Sequence, residues 1–109
     1  MPQKTFNQKI YNLLKKIPKG KVTTYKILGE ALGTKAYRAV GQSMRCNPYS
    51  PLVPCHRVVK SNGSIGGFMG NENKNSKEVK KKSRMLRKEG LKIKNNRIVE
   101  FEKVLFWFS

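Results

Sequence analysis

"TTYKILGEALGTKAYRAVGQSMR", running from Thr23 to Arg45, is the stretch that decides the fold. Thr23 or Thr24 offers a side-chain oxygen to the first free amides of a helix. Ile27, Leu28, Ala31 and Leu32 then recur at the spacing of one helical face. Gly33 suits the left-handed residue that closes a helix. After a short turn, Ala36, Ala39, Val40 and Met44 repeat the helical spacing. Asn47-Pro48 ends that run, because the residue before a proline is pushed out of the α region. Two short helices joined by a glycine-containing turn form a helix-turn-helix pattern, here over about residues 24–45. Many helix pairs bind nothing, but Arg38 and Arg45 on the second helix add weight to a DNA contact.

The rest of the chain arranges itself around this pair. Thr5 and Gln8 form a capping box, and Phe6, Ile10, Leu13, Leu14 and Ile17 predict a helix with one buried face. Pro18 and Gly20 stop it. Downstream, Pro48, Pro51 and Pro54 predict a stiff, extended loop over 47–59 leading to Cys55. Val58 and Val59 read as a short strand, and Asn62-Gly63 as a tight turn. In the 63–75 segment, Gly66, Gly67 and Gly70 surround Phe68 and Met69, allowing unusual backbone angles or close approach of a ligand. The segment lacks the Gly-Lys-Ser/Thr ending of a phosphate loop. Ser76 caps a last helix over 76–89, with Gly90 at its end and Val79, Met85 and Leu86 inward. Its other faces carry Lys77, Lys80, Lys81, Lys82, Arg84, Arg87 and Lys88, a solvated face or one that meets phosphates. In the 91–109 tail a hairpin turns at Asn95-Asn96. "VLFWF" at Val104–Phe108 has to pack on the body, since five apolar residues would otherwise be sticky. The expectation is one mainly α domain over 1–109, a winged-helix-like helix-turn-helix fold with minor β-hairpin structure.

Composition narrows the partner. Twenty-four lysines and arginines face six acids, all glutamates, for a net charge of +18 over 109 residues. Such an excess bears on partners rather than on fold and points to nucleic acid. A membrane surface is disfavoured, because no stretch pairs a basic face with an uninterrupted apolar one. There is no signal pattern and no apolar run long enough to cross a bilayer, so a cytoplasmic protein is expected, nucleoid-associated or nuclear. Two cysteines are too few for a disulfide scaffold. Cys46, Cys55 and His56 are one ligand short of a structural zinc site, and no metal or cofactor is expected.

"SPLVPCHRVV", Ser50–Val59, contains the single histidine, His56, directly after Cys55. A thiol is a useful nucleophile only as thiolate, favoured by nearby positive charge or by a histidine base. In an extended chain the two side chains would point opposite ways, so contact would need a bridging water or a bend at Pro54. A carboxylate should orient the imidazole. Glu89 stands out among the glutamates, because it sits at a basic helix end where the helix dipole disfavours negative charge. Spacing alone leaves two readings open: a reactive thiolate, or a buried structural cysteine beside an incidental histidine.

"PCHRVV", with "TTYKILGEALG", "RAVGQSMRCNP" and "GSIGGFMG", resembles the DNA-binding, catalytic domain of the O6-alkylguanine-DNA alkyltransferases, in the same order over about residues 5–90. The resemblance implies a DNA-repair protein that flips O6-alkylguanine, such as O6-methylguanine, out of double-stranded DNA. The Cys55 thiolate then takes the alkyl group in an irreversible, stoichiometric transfer without a cofactor. It implies His56 as base through a water, Glu89 as its hydrogen-bond partner, and Asn47 as a brace for the turn. Tyr25 would press on the target phosphate and protonate the leaving guanine, and Arg38 would fill the gap in the base stack. Carbonyls of Cys55 and Val58 would read the guanine amine and the Met69 amide would meet O6, with Gly66, Gly67 and Phe68 completing the substrate pocket. The second motif helix, with Ala36, Tyr37, Ala39, Gly41, Gln42 and Arg45, would enter the minor groove, where sequence readout is degenerate. Arg57 is placed among the DNA contacts, and the protein is expected to be a monomer.

The sequence departs from the family pattern in four respects. Phe68 stands where transferases usually have tyrosine, and Met69 replaces a small polar residue. Tyr37 takes a place normally given to a small side chain, and Asn71–Ser76 lengthens the connection to the last helix. The chain is also expected to lack the family's extra N-terminal domain. In size, and in its end "RIVEFEKVLFW", it resembles the short alkyltransferase-like proteins that bind alkylated DNA without repairing it. Those generally carry another residue in place of the cysteine, so Cys55 favours transfer, and a non-catalytic lesion-flagging protein is the alternative.

Overall fold

The computed structural model describes residues 6–35, 37–45, 54–67, 73 and 75–108. In chain order these form α1 (Phe6–Leu14), β1 (Thr23–Thr24), α2 (Tyr25–Ala31), α3 (Tyr37–Arg45) and a 3₁₀ turn (Cys55–Arg57). There follow β2 (Val58–Val59), α4 (Lys77–Lys88), β3 (Ile93–Lys94), β4 (Arg97–Ile98) and α5 (Phe101–Val104).

Local chemistry sets the helix ends. Thr24 Oγ1 accepts from the Ile27 amide at 3.0 Å and starts α2. Its end is a Schellman closure. Gly33 takes φ +74°, the Thr34 amide reaches the Gly29 carbonyl, and the Gly33 amide reaches that of Glu30. Ser76 caps α4 in the same way at the Val79 amide, 3.2 Å away. At the other end the Leu91 and Gly90 amides return to the carbonyls of Leu86 and Arg87, and buried Leu91 and Leu86 supply the apolar contact of that motif. The helix-turn-helix is therefore present, with α3 packed on both α1 and α2.

The core has two lobes. Ile10, Tyr11, Leu14, Ile17, Leu28, Val40, Cys55 and Val58 form the first, and Val22, Val59, Ile65, Val79, Leu86, Leu91 and Ile98 the second. Strand β2 joins them, since successive side chains of a strand point to opposite faces. Val58 enters one lobe and Val59 the other. The strand pairs in parallel with β1, Thr23 opposite Val58 and Thr24 opposite Val59. The hairpin at Asn95-Asn96 is present as β3–β4, with both asparagines in the left-handed region.

Several expectations are corrected. Phe6 is 38% exposed, and the α1 stripe begins at Ile10 with Tyr11 beside it. Ala31 is exposed because α2 ends there and the chain turns away. The chain at Cys55 is not extended. Pro54 opens a 3₁₀ turn in which the Arg57 amide bonds to the Pro54 carbonyl and the Val58 amide to that of Cys55. The helix over 77–88 is not the last, because α5 follows. The tail then runs beside Val22, whose amide bonds to the Val104 carbonyl and whose carbonyl accepts from Phe106. Phe106 and Phe108 pack on the first lobe, edge to face at 5.1 Å, while Trp107 between them is 63% exposed.

Candidate active site and nucleic-acid face

The turn at Cys55 supplies the bend that adjacency alone could not. Cys55 is 8% exposed with a free thiol, and His56 beside it is 2% exposed. His56 Nε2 lies 3.1 Å from Glu89 Oε2. Arg57 grips the same carboxylate as a fork, Nε to Oε1 at 2.9 Å and Nη2 to Oε2 at 2.6 Å, and gives Nη1 to the Ile17 carbonyl at 2.7 Å. Glu89 is the C-cap residue of α4, whose terminal carbonyls carry partial negative charge. The two cationic-capable neighbours account for a glutamate at that end.

These contacts fix the tautomer. A carboxylate can only accept, so Nε2 carries the hydrogen and Nδ1 keeps the lone pair. Nδ1 is buried with no hydrogen-bond partner among the described residues, and so is the ring position able to accept a proton. Burial holds the His56 pKa below its usual value; the bond to Glu89 opposes this, and the positive charges of Arg57 and Lys82 add to it. The imidazole is thus a neutral base near pH 7. At Glu89 burial pushes the pKa up, but the hydrogen bonds from Arg57 and His56 outweigh it and hold the carboxyl below its usual value.

Two assignments change. Arg57, expected among the DNA contacts, turns inward: its fork lies on Glu89 and the Ile17 carbonyl, so it braces the turn against α4 and the chain after α1. Lys82 does not lie on a solvated face. It is 1% exposed, and its Nζ donates to the carbonyls of Val58 at 2.7 Å, Ile65, and Gly67 at 3.1 Å. The signal was present in the sequence, since Val79, Lys82 and Leu86 share one helical stripe.

Tyr25, the first residue of α2, is half-buried against the first lobe. A side chain begun at Gly66 would meet the Lys60 side chain at 3.3 Å and reach only ordinary contact, 3.9 Å, with the Tyr25 ring; the φ of +72° is what calls for glycine there. Gly67 follows with its carbonyl on Lys82. On α3, Arg38, Ala39 and Gln42 are exposed, and Gly41 is partly so. These form a face turned away from Val40. The backbones of Tyr37 and Arg45 lie in the same helix. Ala36, Asn47, Phe68 and Met69, like the side chains of Tyr37 and Arg45, lie outside the described residues.

The family described as 6-O-methylguanine DNA methyltransferase, DNA-binding domain, matches residues 5–91. The chain belongs to this family. A methylated-DNA–protein-cysteine methyltransferase of Saccharolobus islandicus is 43% identical over 88 residues, which is 81% of this chain and 52% of that protein. The chain thus spans about half the length of the curated relatives it matches. Among solved structures, the O6-methylguanine-DNA methyltransferase of Pyrococcus kodakaraensis superposes with a TM-score of 0.67 at 40% identity, over 80% of this chain and 47% of that one. Schizosaccharomyces pombe Atl1, in complex with damaged DNA containing O6-carboxymethylguanine, superposes with a TM-score of 0.79 at 27% identity, over 97% and 98%. The matched span of this alkyltransferase-family domain holds Cys55, His56, Arg57 and Glu89. The tail from Lys92 onward lies outside the family match.

Proposed function

We propose that the protein repairs O6-alkylguanine in double-stranded DNA by moving the alkyl group to Cys55. The observation that carries this reading is the Cys55–His56–Arg57 turn locked onto Glu89, with the histidine lone pair left at Nδ1. The Cys55 proton passes through a water to Nδ1 of His56. The thiolate sulfur attacks the alkyl carbon, the carbon–O6 bond breaks, and its electron pair leaves on guanine, which takes a proton from Tyr25. A thioether is stable, so each molecule reacts once. Asn47 braces the turn, Val58 and Cys55 carbonyls read the base amine, and Phe68 and Met69 shape the alkyl pocket with Gly66 and Gly67.

The exposed face of α3 enters the minor groove, and Arg38 takes the place of the flipped base. Small Ala39 and Gly41 permit close approach, and Ala36, Tyr37, Gln42 and Arg45 complete the contact. The net charge of +18 supplies the phosphate attraction. The protein acts as a monomer in the compartment that holds the DNA. The relatives' names and the DNA-bound neighbour support the same substrate class.

The decisive experiment weighs the protein after mixing with a duplex bearing O6-methylguanine. One methyl gained on the Cys55 peptide, and none in Cys55→Ala, is expected. Lesion-selective binding with no mass gain would overturn transfer in favour of a lesion-flagging protein. Arg38→Ala is expected to slow alkylation by on the order of tenfold to a hundredfold through poorer flipping, given an unstacking cost of a few kcal/mol. An unchanged rate in a stopped-flow assay would remove Arg38 from that role.

A further inference from the structure

Lys82 is the buried charge that the chemistry above leaves unused. Three N–H bonds of its ammonium meet three carbonyls, those of Val58, Ile65 and Gly67. Nothing in the packing of α4 needs a charge there. Val79 and Leu86 fill the same stripe, and an apolar side chain would avoid the cost of removing an ammonium from water. The three acceptors come from two separate segments. Val58 directly follows the Cys55 turn, and Ile65 and Gly67 belong to the glycine segment after the turn closed by the Gly63 amide on the Lys60 carbonyl.

We propose that Lys82 is a positioning residue, whose ammonium clamps the strand after the nucleophile to the glycine segment and so sets the width of the alkyl pocket. This rests on the transfer reading given above. The clamp also fits the geometry of recognition. A carbonyl has two lone pairs, so Val58 can accept from Lys82 and still accept from a guanine amine.

The clamp depends on protonation. Burial lowers the Lys82 pKa to about 7; a Cys55 thiolate favours the charged form and Lys60 opposes it. The titratable groups facing it are Cys55 and His56 on the turn and Lys60 beyond β2. A neutral amine has only two N–H bonds, so losing the proton leaves one of the three carbonyls unpaired. The pocket therefore loosens as pH rises through the lysine titration.

The test compares wild type with Lys82→Met in single-turnover transfer from an O6-methylguanine duplex, from mildly acidic to alkaline pH. Lys82→Met is expected to bind an undamaged duplex as wild type does, because the α3 face is untouched. Its maximal transfer rate should fall by on the order of a hundredfold, the penalty of a reacting group displaced by about an ångström. The ratio of wild-type to variant rate should decline in step with the Lys82 Nζ titration followed by ¹⁵N NMR. A folded Lys82→Met with the wild-type rate, or a ratio unchanged across that titration, overturns the clamp. Should the variant not fold, amide exchange at Ile65–Gly67 in wild type decides. Protection lost with the lysine proton supports the clamp, and constant protection overturns it. If wild type gains no methyl, the transfer reading has failed on its own account. The clamp is then judged by preference for lesion over undamaged duplex: loss of that preference in Lys82→Met upholds it, and retention overturns it.

Discussion

Replacing Glu89 with alanine is expected to slow alkyl transfer to Cys55 by on the order of a thousandfold, the range lost when acid–base assistance is removed. Two partners lose their anchor together. His56 is freed to rotate and to take the other tautomer, and the Arg57 fork is left buried without its anion. Breaking one side of a buried pair costs about 3 kcal/mol, so thermal unfolding should show a matching loss. Glu89→Gln separates the two effects. It keeps the shape and an oxygen for one bond but not the charge, so it should recover more of the stability than of the rate. A Glu89→Ala protein that reacts at the wild-type rate would remove the carboxylate from the chemistry.

Acid pH should act on the same group of residues. His56 has a folded pKa below the usual value of a histidine, so as pH falls the unfolded chain takes up that proton first. Stability therefore begins to drop near the unfolded value and goes on dropping until the folded histidine also protonates. The contribution of Glu89 is present above its unfolded value and is lost as pH falls through its lowered folded value. Both signs are the same. The transfer rate should share the decline, since protonated Nδ1 accepts nothing. Paired unfolding and rate measurements across the acid range check this, and a rate that holds steady while His56 protonates would contradict it.

Phe106→Ala carries the second large effect. The ring packs on the first core lobe and against Phe108, and its backbone ties the tail to Val22 and Thr23. Truncating a half-buried phenylalanine should cost about 2–3 kcal/mol, somewhat under the 3–5 of a fully buried one. For a domain of this size that lowers Tm by on the order of 10 °C. Trp107→Ala is the control. Its side chain is 63% exposed, and its loss should change stability by no more than about 0.5 kcal/mol. If the two variants melt alike, the tail is not a structural part of the domain.

The helix-turn-helix and α4 were legible because caps, glycine stops and the 3.6-residue period all agree at those places. Asn95-Asn96 announced its hairpin by the same logic, since asparagine tolerates left-handed backbone. The carboxylate near His56 could be named because Glu89 contradicted its helix end. Strand β1 was not legible: Thr23-Thr24 is too short to show alternation, and its partner lies across the fold at Val58-Val59. Arg57 was misread because nothing in a sequence tells an arginine facing phosphate from one facing a glutamate thirty-two residues on. Lys82 was hidden by its neighbours. Five lysines between Lys77 and Lys88 invite a single reading, and only the period shared with Val79 and Leu86 separates one of them.

The pairing of β1 with β2 has a consequence for how such a domain can vary. One strand leads directly into the motif helix, and the other leads directly out of the Cys55 turn. Their offset can change only in whole residues, each about 3.3 Å. A single step would also swap the faces of Val58 and Val59 and send each valine into the wrong lobe. The reach from α2 to the Cys55 sulfur is therefore quantised, with one permitted value. Under the proposed transfer, selection among bulkier or smaller adducts has to work through side chains, because the ruler itself cannot be stretched.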